Sequence, residues 1–141
     1  MRAYAYLFTP FLAWLVAGSL KFLINCIRVR RLAFDLIGYG GLPSNHSAIV
    51  SSIAALIAFR EGIDTAAFGV AIALAFIVIL DASSLRRQVG KQASAVNLLN
   101  QKVGLIGAQS LRERIGHSKV EIFAGCVLGF LVALAIFLVF P

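Results

Sequence analysis

At 141 residues the chain is long enough for one domain, but 60% apolar content, 13% charged content and a mean hydropathy of +0.92 exclude a water-soluble globule. A soluble domain carries roughly 25% charged residues, so lipid must be the main solvent here. The net charge of +7 would suggest nucleic acid in a soluble protein; in a membrane protein it matches anionic headgroups or phosphate, and no nucleic-acid partner is expected.

The first apolar run begins at Tyr4, and Thr9-Pro10 has the form of an N-cap followed by proline at the first helical position. This predicts a helix from residue 10 to about residue 30, roughly 20 residues or ~30 Å, enough to span hydrocarbon. Tyr4, Tyr6 and Trp14 suit an interfacial belt. Arg2, the apolar run and Ala17-Gly18-Ser19 imitate a secretory leader, but the apolar stretch resumes past Lys21, and a retained helix is expected. Gly38, Gly40, Gly41 and Pro43 then stop any helix between residues 31 and 45.

The second apolar run, residues 47–59, is short and rich in Ala and Ser, which predicts packing inside a bundle. The third, residues 65–80, ends at Asp81. Leu85, Val89, Val96, Leu99 and Val103 follow at three-, four- or seven-residue spacing among Arg, Lys, Gln and Asn. That pattern predicts an amphipathic helix lying in the interface or capping the bundle. The last run, residues 120–140, carries Gly125 and Gly129 at the spacing that lets helices approach closely, a face suited to a homo-oligomer. The expectation is one all-α domain over residues 1–141: an integral membrane bundle of about four transmembrane helices plus an amphipathic interfacial helix.

Four crossings put the first and third connections on one side, with ten of the thirteen basic residues. Arg2 and Arg60 fall opposite, and Lys21 lies within the first helix. This asymmetry predicts a polar face in the cytoplasm. Cys26 and Cys126, each in an apolar run, are expected to be packed, reduced thiols.

Both histidines fall on that face. His46 follows Pro43-Ser44-Asn45 at the start of the second helix, and His117 follows Gly116 just before the last. Helix N-termini offer free N–H groups and a positive dipole end, a natural seat for phosphate. Glu121, four residues after His117, can accept one imidazole N–H and fix the tautomer; a capping pair at the interface has the same spacing. Lys21 sits within a hydrophobic helix, where an ionisable group is functional by default unless it snorkels to the surface. Arg28 lies two turns on, on nearly the same face, while Arg30 would point the other way. Arg86 and Arg87 follow Asp81 where the third run ends, suited to phosphate or to anchoring on anionic lipid. His46, His117, Glu121 and Asp81 are metal-ligating types, but their basic neighbours would repel a cation, so neither metal nor cofactor is expected.

These blocks, in this order, resemble the type-2 phosphatidic acid phosphatase superfamily: Lys21 and Arg28, then Pro43-Ser44-Asn45-His46, then His117 and Glu121. The run Gly40 to Ala48, the segment Asp81 to Ala93, and Ile115-Gly116-His117 to Glu121 are most similar to its small divergent branch, related to acid phosphatases and vanadium-dependent haloperoxidases. The resemblance implies a metal-free, two-step phosphoryl transfer from a lipid phosphate or diphosphate. His117 would be the nucleophile, Glu121 its orienting partner and His46 the acid for the leaving oxygen. Lys21, Arg28 and Ser44 would hold phosphate. Val29 stands where the pattern has proline, Asn45 where it has glycine, and Leu111 where it has arginine. Arg112, Arg86 or Arg87 would supply that last charge. The alternative function is a non-catalytic lipid-binding or assembly protein of the same fold.

Overall fold

A computed structural model describes residues 2–32, 34, 41–104, 109–113 and 115–140. The glycine-rich stretch at Gly38, Tyr39 and Gly40, and the basic Arg114, lie outside these residues. Among the described residues all regular structure is helical, and the chain is an integral membrane bundle. Three segments are long and apolar enough to cross a bilayer: Tyr4–Val29, Ala66–Val103 and Lys119–Val139.

Helix α1 (Arg2–Val29) corrects the expected start at Pro10, because Pro10 lies inside it. Thr9 is not a cap: its hydroxyl donates to the Ala5 carbonyl within the helix at 2.6 Å. Proline removes one backbone bond, but the preceding residues are apolar, and in lipid the helix that satisfies their remaining backbone groups is favoured.

Helix α2 (Asn45–Glu61) packs against α1, α3 (Ala66–Leu80) and α5 (Lys119–Val139). Its 17 residues rise about 25 Å. Ser47, Ala48, Ser52, Ala54 and Leu56 are buried, and small side chains let the neighbours close in. The hydroxyls of this helix are satisfied locally: Ser47 donates to Ser44 Oγ at 3.0 Å, the partly buried Ser51 to Ser47 O at 2.6 Å and Ser52 to Ile49 O at 2.8 Å.

The closest approach is between α2 and α5. A Cβ on Gly125 would stand 2.4 Å from the Ser44 carbonyl oxygen, and one on Gly129 would stand 2.4 Å from that of Ala48. The small-residue face expected to serve an oligomer is therefore filled by the chain's own α2. Successive residues of the two helices meet in order, and Phe59 further along packs on Phe130 and Phe137, so α2 and α5 run parallel. Helix α1 runs the other way, with Gly18 beside Asn45 and Tyr6 under the Arg60 guanidinium. One end of the bundle thus gathers the end of α1 and the starts of α2 and α5.

Thr65 caps α3 by accepting from Phe68 N at 3.3 Å. Helix α3 does not stop at Asp81. A π-helical turn (Asp81–Leu85) carries it into the amphipathic helix α4 (Arg86–Val103), which ends at Gly104 with φ +70°. No breaker interrupts Asp81-Ala-Ser-Ser-Leu, and the π turn absorbs the change from a lipid-facing to a polar pattern. The Asp81 end of α3 joins the polar end of the bundle, because the His117 N–H donates to the Ala82 carbonyl at 3.0 Å. No disulfide joins Cys26 and Cys126.

Candidate active site

The site is assembled by helix starts. Ser44 caps α2: its buried hydroxyl accepts from Ser47 N at 3.3 Å and from Ser47 Oγ at 3.0 Å. Its own N–H donates to the Glu121 carbonyl at 2.9 Å, tying the start of α2 to the first turn of α5. Ser118 caps α5 in a reciprocal box, accepting from Glu121 N at 3.3 Å while its N–H donates to Glu121 Oε2 at 3.0 Å.

These two caps set His46 and His117 side by side, ring centroids 5.8 Å apart. Glu121 Oε2 also lies 3.1 Å from His117 Nδ1. With a carboxylate on Nδ1, that nitrogen carries the proton and Nε2 keeps its lone pair. His117 is only 8% exposed. Burial, with a smaller contribution from the Lys21 charge, pushes its imidazole below the ordinary range, and Glu121 partly opposes this. On His46, Nδ1 is buried and makes no hydrogen bond, and so is Oδ1 of the neighbouring Asn45.

The positive charges of Lys21 and Arg86 act on both rings. Arg86 is held by Asp81, Nε to Oδ2 at 2.8 Å. The adjacent Arg87 is exposed, but its stem lies against Gly116, where φ is +101° and a Cβ would meet Arg87 Cγ at 2.8 Å. Arg28, in the last turn of α1, and Arg112, before α5, are both exposed. The described geometry therefore brings together His46, His117, Glu121, Ser44, Lys21 and Arg86. Among the described residues no three of His, Cys, Asp and Glu are grouped to share an ion.

A set of residues not singled out from sequence holds the segment that delivers His117. Asn97 of α4 is 7% exposed; its amide accepts from Leu111 N and donates to Leu111 O, both at 2.8 Å, as a strand neighbour would. It also donates to Glu113 Oε1 at 2.8 Å, and Ser94 donates to Oε2 at 2.8 Å. These bonds hold the exposed Glu113 carboxyl below the usual carboxylate range. Gly90 lets the segment lie close, since a Cβ there would stand 2.4 Å from the Glu113 carbonyl oxygen. The sequence signal was present: Gly90, Ala93 and Asn97 recur at three and four residues and mark a second, small-and-polar face of α4.

A histidine pair set among caps, an acid and basic side chains at one end of a helical membrane bundle defines a class of small polytopic protein with a buried polar centre. Within that class the chain belongs to the divergent PAP2 family, whose pattern residues 3–132 match. It is also similar to an uncharacterized membrane protein, YuiD, of Bacillus subtilis (strain 168): 32% identity over 139 residues, covering 88% of each chain. No solved structure matches it.

Proposed function

We propose that this protein is a membrane phosphatase that hydrolyses a lipid phosphate or diphosphate through a phosphohistidine at His117. The observation that carries the reading is the histidine pair, one ring held through Nδ1 by Glu121 and the other beside it. Nε2 of His117 attacks phosphorus, and the bond to the leaving oxygen breaks as His46 donates a proton to it. Water then attacks the phosphohistidine, His46 takes up its proton, and phosphate departs. Lys21 and Arg86 offset the charge on the non-bridging oxygens, and the N–H groups at the start of α2 act in the same direction. Ser44 is fully buried, and its part is to set the first turn of α2.

The test is phosphate release from a panel of lipid phosphates and diphosphates by purified protein. Turnover inhibited competitively by vanadate is expected; phosphate-lipid binding without turnover of any substrate would replace this reading with that of a binding protein.

The pH dependence follows from the position of His117. Burial holds its imidazole low, so the nucleophile stays neutral until the pH falls below the ordinary histidine value of about 6.5. The acid limb of kcat/KM is expected below that value. Glu121→Gln should move it lower still, because the carboxylate is what pulls His117 upward; Lys21→Met should move it higher. Movement in the opposite directions would take His117 out of the nucleophile's role.

We place the site on the cytoplasmic face, since ten of the thirteen basic residues share its side of the expected topology. In intact cells a cysteine near Gly62 should react with an impermeant reagent and one near Gln92 should not. The reverse pattern would put the site outside.

A further inference from the structure

Helix α4 presents two faces to its surroundings, and the chain uses only one. Gly90, Ala93 and Asn97 are covered by the segment leading to α5. About 110° round the helix runs a stripe of Leu85, Val89, Val96, Leu99 and Val103, each between 41% and 70% exposed. Among the described residues α4 makes no more than weak contact with α1, α2, α3 or α5, so nothing in the bundle covers this stripe.

We infer that this stripe is the seam through which two copies of the chain pair as parallel helices. Val89, Val96 and Val103 are spaced by seven, and Leu85 and Leu99 lie four residues before the first and third of them, with Gln92 between. In heptad terms the valines fill the a positions and the leucines the d positions. β-Branched residues at a with leucine at d favour two parallel strands. Through the π turn α4 continues the membrane-crossing α3 as one helical run, Ala66–Val103, and a helix that leaves the bilayer along its normal is set parallel to its copy by a two-fold axis along that normal.

Charge placement separates this reading from a helix lying on the lipid surface. A surface helix flanks its apolar face with basic residues that reach headgroups. Here the exposed Arg87 and Lys91 lie roughly 120–160° from the stripe. At the flanks Arg86 is paired with Asp81, Gln88, Ala93, Ala95 and Asn100 carry no charge, and the exposed Lys102 is the one remaining cation; in a parallel pair it lies diagonal to its own counterpart, so no like charges directly oppose a second copy. About three heptads are marginal for free helices in water. Two membrane-anchored copies already share plane and orientation, which lowers the entropy lost on pairing. The close-packing glycines of α5 are occupied by α2 and so are not open to a second copy.

The test uses full-length protein in membranes with Cys26 and Cys126 replaced by serine. Under mild oxidation Leu99→Cys is expected to form a covalent dimer at least about tenfold faster than Lys91→Cys, since d positions face each other across a parallel seam. In detergent the unaltered protein should show twice its 15.1 kDa chain mass, and Val96→Asp combined with Leu99→Asp should return it to the monomer with helix content unchanged. Equal cross-linking at both positions, or an unaltered protein that is monomeric in detergent and uncross-linked at Leu99→Cys in membranes, would overturn the inference. Quenching of a probe at position 99 by brominated lipid would also overturn it, and would put α4 on the membrane surface.

Discussion

Replacing His117 with alanine is expected to lower phosphate release by about three orders of magnitude or more, the scale seen when a nucleophile is removed from a unit that acts together. Substrate affinity should change little, because Lys21 and Arg86 remain to meet the phosphate. The fold should persist: His117 is tied to Ala82 through its backbone N–H, and the caps of α2 and α5 do not use its ring. Helix content by circular dichroism checks that point. Glu121→Gln should cost less turnover, since the amide can still hold the ring while losing the charge that supports an imidazolium. An active His117→Ala protein would remove this residue from the chemistry.

The second large effect lies in packing. Gly125→Ala places a Cβ 2.4 Å from the Ser44 carbonyl oxygen and 2.9 Å from Ser47 Cβ. Neither obstacle is the end of a flexible side chain, so α5 must move off α2. Overpacking of this kind costs about 1–3 kcal/mol. It should also cost activity beyond the stability loss, because the Ser44 N–H to Glu121 O bond at 2.9 Å is what keeps the two histidine-bearing turns together. Gly69→Ala is the control. Nothing lies within 4 Å of its added Cβ, and alanine favours helix, so thermal stability in detergent should be unchanged or slightly higher. Equal effects at the two glycines would mean that the α2–α5 contact is not what positions the site.

How far the sequence carries this picture differs along the chain. The membrane class, the polar ends of the apolar runs and the histidine at the start of each of α2 and α5 are legible, because hydrophobic length and capping chemistry are local properties. Thr9-Pro10 misleads for a local reason too: its pattern is that of a helix start, and only the lipid around residues 4–8 makes a longer helix favourable. Continuity of α3 into α4 is hidden because a π turn has no sequence signature of its own. The spacing of Gly90, Ala93 and Asn97 marks a face of α4 but not what that face meets: the pairing of Asn97 with Leu111 and Glu113 is announced by no spacing within one helix. The arginines are the least legible. Arg86 and Arg87 are adjacent and chemically alike, and only the turn of the helix sets one beside Asp81 and the histidines and the other against Gly116.

The most direct measurement is to trap the covalent intermediate. Purified protein is mixed with a lipid diphosphate labelled in its terminal phosphate, quenched during turnover, and mapped by mass spectrometry under conditions that preserve phosphoramidates. Acid-labile phosphate is expected on the peptide carrying His117, and none on His117→Ala. Turnover with phosphate on another residue, or with no labelled protein at any quench time, would contradict the mechanism.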